Sequence, residues 1–170
     1  LLERLRLKVN TAKSAVAPVS ERQFLGFRLV AEGDSARALI APKAAKRFRD
    51  RVRELTPPRG HRSIHTVIED LSRYLRGWAG YFRLAEERWF WKRAFGWLSR
   101  RLRALLLVHW KTAGNTYRQA IRLGASDHLA RAAAHLRKRR WRTAGTTMNA
   151  VVPTAHLLAW GLYDLRQHTR

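Results

Sequence analysis

From residue 63 onward the apolar positions repeat at helical spacing. Ile64, Val67, Ile68, Leu71, Leu75, Trp78 and Phe82 fall at intervals of three and four, on one stripe of an amphipathic helix. Ser63 stands just ahead of them, where a hydroxyl caps a first turn. A second helix is predicted from about Glu86 to Lys111. Its apolar residues (Trp89, Phe90, Trp91, Phe95, Trp97, Leu98, Leu102, Leu105, Leu106, Val108, Trp110) wrap most of the way round, the pattern of a helix packed on more than one side. Gly114-Asn115 is read as its end. A short helix over Thr116–Leu123 then stops at Gly124, and Ser126 caps another from Asp127 to about Arg137. A last helix is predicted from about Met148 through Pro153 to Trp160, with Gly161 as its stop.

Before residue 63 the pattern differs. Leu5-Arg6-Leu7-Lys8-Val9-Asn10 alternates, as a helix end passing into a strand would. Ser14–Ala17 and Arg22–Ala31 read as short strands; the second holds Phe24-Leu25-Gly26-Phe27, whose Gly marks a close approach of another backbone or a ligand. Glu32-Gly33-Asp34-Ser35 is a turn, and Ala38–Ala41 the returning strand. Pro42 suits a first helical turn, and Lys43–Leu55 is a basic helix with Ala44, Phe48, Val52 and Leu55 on its apolar face. Pro57-Pro58-Arg59-Gly60 breaks it and forms the clearest linker. The fold class is therefore mainly α, with a small N-terminal β-hairpin or meander.

Composition adds a partner. The 170 residues carry a formal net charge of +23, from 28 Arg and 7 Lys against 12 acids. Residues 1–55, 56–113 and 114–170 hold net charges of +7, +8 and +8, so the charge belongs to folded elements and not to a tail. Such a surface calls for a polyanion, and Arg in particular offers a planar fork for phosphate. Hydrophobic residues make up 46% of the chain, enough for a core. With no Cys there is no disulfide, thiolate zinc site or thiol nucleophile. Leu105-Leu106-Leu107-Val108 is too short to span a bilayer and is flanked by Arg103 and Lys111. The expectation is a cytoplasmic protein without membrane contact. Residue 1 is Leu and opens inside a Leu/Arg pattern, as if cut from something longer.

Catalytic chemistry finds little to stand on. His61 and His65 share metal-ligand spacing but lack a third ligand. The adjoining acids Glu69-Asp70 and Glu86-Glu87 read as structural, the second pair near a helix start where acids suit the dipole. No Asp-Asp pair on a hairpin and no Gly-rich phosphate loop is present. The expectation is a binder with no catalytic residues and no metal site. Arg137-Lys138-Arg139-Arg140-Trp141-Arg142 offers phosphate contacts beside a stacking ring. Trp78, Trp97 and Trp110 read as core.

Leu71-Ser72-Arg73-Tyr74-Leu75-Arg76-Gly77-Trp78-Ala79-Gly80-Tyr81-Phe82 closely resembles the Leu-Asn-x-x-Leu-Arg-Gly-Trp-x-Asn-Tyr-Phe signature of the maturase-specific region of group II intron reverse transcriptases. Flanking pieces resemble the same family in order. Leu7-Lys8-Val9-Asn10-Thr11-Ala12-Lys13-Ser14 is similar to a palm segment, Phe24–Phe27 to the block at the primer grip, and Ile40-Ala41-Pro42-Lys43 to the entry of the thumb. Trp110-Lys111, Leu123-Gly124, Trp141 and Gly161-Leu162 are similar to C-terminal positions. Ser72 and Gly80 depart from the family's Asn, so contacts made by those Asn are not carried over.

The resemblance implies the end of a reverse transcriptase palm over 1–42, thumb and maturase-specific helices over 43–113, and a C-terminal helical maturase region over 114–170. The family's catalytic Tyr-x-Asp-Asp box lies upstream of the Lys13 segment. This chain is therefore expected not to polymerise, and Mg2+ is expected only at that missing site. The implied partners are intron RNA and an RNA/DNA template–primer. Asn10, Lys13, Phe24, Leu25, Gly26 and Phe27 would lie near primer; Arg47, Arg51, Arg53, Arg76 and the 137–142 cluster (Arg137, Lys138, Arg139, Arg140, Trp141, Arg142) would contact RNA. Gly77, off the apolar stripe, is expected to permit a close helix contact. The alternatives are a basic DNA-binding or transposition-accessory protein and a non-functional gene fragment.

Overall fold

The computed structural model describes residues 18, 23–33, 35–58 and 62–168. Among the described residues, a three-stranded antiparallel sheet, β1 (Gln23–Phe24), β2 (Phe27–Glu32) and β3 (Ser35–Ile40), leads into eight helices. These are α1 (Pro42–Leu55), α2 (Ile64–Tyr81), α3 (Arg88–His109), α4 (Ala113–Arg122), α5 (Asp127–Leu136), α6 (Arg140–Gly145), α7 (Thr147–Val151) and α8 (Thr154–Ala159). Short 3-10 turns at Arg137–Arg139 and Leu165–His168 complete the described chain. The mainly helical class with its small N-terminal sheet is as the hydrophobic pattern requires. The strand expected over Ser14–Ala17 lies outside the described residues.

The strand expected over Arg22–Ala31 is split. Phe24 pairs with Phe27, and Leu25 (φ 50°) with Gly26 (φ 83°) forms the two-residue turn between them. Positive φ at both central positions matches the right-handed twist of a hairpin. The Gly26 carbonyl accepts the Ala41 N–H at 2.8 Å, and the Phe82 ring lies 3.1 Å from where a Cβ on Gly26 would stand. The close approach read from Gly26 is thus to the signature's own Phe. Tyr81 Oη donates to the Leu25 carbonyl at 2.8 Å, so the end of α2 is pinned to the same turn.

The apolar stripe of α2 buries Val67, Ile68, Leu71, Leu75 and Ala79, and Ser63 caps it by accepting the Thr66 N–H at 3.1 Å. Helix α3 is the central column. It buries Trp91, Phe95, Leu98, Leu102 and Leu105–Leu107, and α6, α7 and the closing 3-10 turn pack on it. One core runs from Ile40 to Leu165. Gly77 is exposed and nothing lies within 4 Å of a Cβ placed there, so it permits no close helix contact.

Two boundaries fall elsewhere than the pattern places them. Gly114-Asn115 does not end α3; both lie in the first turn of α4. Lys111, at φ 56°, makes the break instead, and Thr112 caps α4 by accepting the Asn115 N–H at 3.2 Å. The Asn115 side chain reaches back to the Trp110 carbonyl at 3.0 Å. The last helix is interrupted at Pro153. Pro has no N–H to donate and forces the residue before it out of the helical region. Val152 accordingly sits at φ −124°, ψ 76°, separating α7 from α8.

Candidate nucleic-acid interface

Three arginines on α3 show how this basic chain divides its cations. A helical repeat of 3.6 residues per turn sends Arg100, Arg101 and Arg103 in different directions. Arg103 points inward: it is buried, its Nε donates to the Val152 carbonyl at 2.7 Å, and its guanidinium reaches Thr154 Oγ1 at 3.4 Å. The carbonyl it holds is the one freed by the break before Pro153. Arg101 reaches the end of α1, donating to the Thr56 hydroxyl, to the Thr56 carbonyl at 3.0 Å and to the Arg53 carbonyl at 3.3 Å. Burial lowers the pKa of both, and Arg53 beside Arg101 adds to the second. Arg100 donates to the Trp141 carbonyl at 2.9 Å, with its guanidinium 4.4 Å from the centre of the indole ring. Gly145 makes room for it, since a Cβ there would stand 2.8 Å from the guanidinium.

These contacts carry the 137–142 cluster against the C-terminal half of α3. Arg137, Lys138 and Arg140 line a cleft of about 320 Å3 with Leu107, Val108 and Lys111. Arg140 and Trp141 continue it into a cleft of about 190 Å3 with Thr56, Pro58, Arg101 and Leu105. The two clefts share Val108 and Arg140, so they form one trough. Trp141 is 45% exposed beside it. Arg139 and Arg142 part from the rest and line a different cleft with Leu136, Thr143 and Thr146.

Among the other expected contacts, Arg53 touches Arg101 through its backbone carbonyl and does not line the trough. Its own guanidinium is paired with Asp50 at 2.7 Å and lies 5.9 Å from the Trp97 ring. Arg51 is paired with Glu54 at 2.8 Å, and Arg47 is exposed on the same helix. Exposed pairs of this kind are weak, so phosphates can displace the acids. Arg76 is exposed on α2, with its guanidinium 5.8 Å from the Tyr163 ring. Phe24 and Leu25 are exposed on the hairpin turn, while Gly26 and Phe27 pack towards Phe82. Asn10 and Lys13 lie outside the described residues.

Arg100, Arg101 and Lys111 are the members of this surface that the sequence did not disclose. Arg101 lies on α3 and Lys111 just past its end, and they meet the cluster only through the fold. Trp110 is buried, and Trp78 and Trp97 pack on the core, as their spacing requires. The acid pairs have structural partners. Asp70 binds Arg62 and Arg73, while Glu69 binds Arg73. Glu87 sits at the N-cap of α3 but makes no side-chain cap bond there; its carboxylate accepts the Ile40 N–H at 2.9 Å. His61 lies outside the described residues, and His65 faces the Trp160 ring. Among the described residues, no group of three or more His, Asp or Glu could hold a metal ion, and no helix is long and apolar enough to cross a membrane.

Residues 45–124 match the family model described as group II intron, maturase-specific domain. The match begins in α1, takes in all of α2 and α3, and closes at Gly124 just after α4. Over these residues the chain is similar to the group II intron maturase-specific domain, consistent with the C-terminal part of a group II intron reverse transcriptase/maturase. The description is of a maturase-specific region and not of a catalytic one, which points to intron splicing. No curated protein matches the chain.

Proposed function

We propose that this chain grips structured intron RNA during splicing, and in a longer reverse transcriptase also holds the template–primer duplex. The observation that carries the reading is the trough along α3, where Arg101, Lys111, Arg137, Lys138 and Arg140 converge beside the open ring of Trp141. A-form helices are recognised by shape, phosphate and 2′-OH contacts, and a basic helical face supplies these without a sequence code. Residues 1–42 then belong to the end of a palm, 43–113 to thumb and maturase-specific helices, and 114–170 to a C-terminal maturase region. The chain works in the cytoplasm and itself holds no cofactor.

Filter binding to structured intron RNA over a salt series tests this, with duplex DNA of equal length as competitor. The expected result is an affinity that falls linearly in log–log form with salt, and a preference for RNA. Affinity indifferent to salt contradicts the electrostatic grip. Equal affinity for duplex DNA favours a general DNA-binding protein instead.

A further inference from the structure

A second basic surface lies along the N-terminal halves of α1 and α3, and none of its lining residues belongs to the trough farther along α3. Trp89, in the first turn of α3, is 59% exposed, while Trp91 two positions on is fully buried. Trp89 stands between two clefts, of about 540 and 500 Å3, that share it with Arg28 and Glu87. The larger has an apolar floor including Phe48, Phe90 and Trp97, and adds Arg49 and Arg93 at its walls. The Arg93 guanidinium lies 5.9 Å from the centre of the Trp89 ring.

The charge of the two clefts differs. Among the described residues, the larger is lined by Arg28, Arg49 and Arg93 with Glu87 as its one acid, and that carboxylate already accepts the Ile40 N–H. In the smaller, Glu32, Glu86 and Glu87 are present, and Arg37 is paired with Glu32 at 3.4 Å and Glu86 at 3.6 Å. An anion is therefore drawn to the larger one. Its volume falls in the range of small-ligand sites, roughly 300–1,000 Å3, which is room for a nucleotide. Aromatic faces beside cations are the means by which proteins hold single strands.

We propose that this cleft receives an unpaired nucleotide of the bound RNA. The base stacks on Trp89 over the apolar floor, and the flanking phosphates lie on Arg49 and Arg93. The proposal rests on the RNA-gripping reading above and gives the cleft a separate role, that of recognising where a duplex ends or a strand bulges.

The test uses the 170-residue chain and two RNA hairpins, one blunt and one carrying a short unpaired tail, at matched salt. The tail is expected to tighten binding roughly 5- to 150-fold, the range for one stacked base. Trp89→Ala should abolish that gain and leave the blunt hairpin within about twofold of wild type, since the trough along α3 is untouched. Trp89→Phe should keep most of the gain, and far-UV circular dichroism checks that both variants fold. A tail that adds nothing while the blunt hairpin still binds with salt dependence overturns the cleft assignment alone. Equal weakening of both hairpins by Trp89→Ala also overturns it. If neither hairpin binds, the RNA-gripping reading fails, and this inference with it.

Discussion

Replacing Trp78 by Ala removes the ring that joins three helices. Its centroid lies 4.5 Å from Phe48 of α1, 4.5 Å from Phe82 at the end of α2, and 5.6 and 5.5 Å from Phe90 and Trp91 of α3. Truncating a core Trp costs about 3–5 kcal/mol through lost transfer energy and the cavity left behind. Each aromatic pair adds about 0.5–1.5 kcal/mol beyond its area. Trp78 is only partly buried, which places the expected loss near the lower bound, about 3 kcal/mol. For a chain of this length that lowers Tm by about 6–12 °C, since each kcal/mol shifts it by roughly 2–4 °C. Urea unfolding followed by far-UV circular dichroism should show a lower midpoint at unchanged slope. Trp141→Ala is the control: its ring is exposed and touches Arg100, so the loss should stay within about 1 kcal/mol. A Trp78→Ala midpoint equal to wild type, or an equal loss in the control, refutes the assignment of Trp78 to the packed junction.

Three further outcomes follow from the same structure. Gly77→Ala should raise stability by about 0.5–1 kcal/mol in urea unfolding, because the position is an exposed helix interior with open space around a Cβ; a loss would show that the contact expected there exists. Ser72→Ala should lower stability by about 1–3 kcal/mol, because the hydroxyl donates to the Gly161 carbonyl at 2.8 Å and accepts the Tyr163 N–H at 3.0 Å, tying α2 to the C-terminal segment; limited proteolysis should then cut first after α8. Stability should also decline as pH falls from about 7 toward 5. Burial depresses His109 and His168 below the ordinary imidazole value, so the unfolded chain takes up protons that the folded one resists. Their contribution is complete above the unfolded pKa of about 6.5 and is lost below it. An unfolding midpoint that is flat or rising over that interval contradicts the burial of these rings.

The long amphipathic elements were legible because burial enforces their period. Leu71, Leu75, Ala79 and Phe82 had to share a face for α2 to pack at all, and Ser63 announced where it begins. The places where reading failed are those where two local signals compete. Gly114-Asn115 looked like a helix end, yet Lys111 in a left-handed conformation with Thr112 as cap ended α3 earlier. Phe24-Leu25-Gly26-Phe27 lies in a run rich in strand-forming residues, but the hairpin needs Leu25 and Gly26 at its corner. The candidate interface was half visible. The run at 137–142 is contiguous and plain in sequence, whereas its division into two sets, and the arrival of Arg101 and Lys111 beside one of them, depend on how α6 docks on α3. Nor could sequence tell that Arg103 is a buried brace and its near neighbour Arg101 a clamp on Thr56.

The central claim is that Arg137, Lys138 and Arg140 act together on RNA phosphate. Changing all three to Gln and repeating the RNA salt series tests it most directly, with Arg73→Gln, paired with Glu69 and Asp70 on α2, as control. The expected result is a slope of log affinity against log salt reduced by about 2–3 in the triple variant, near one for each lost phosphate contact, and unchanged in the control. A triple variant that binds RNA with the wild-type slope contradicts it.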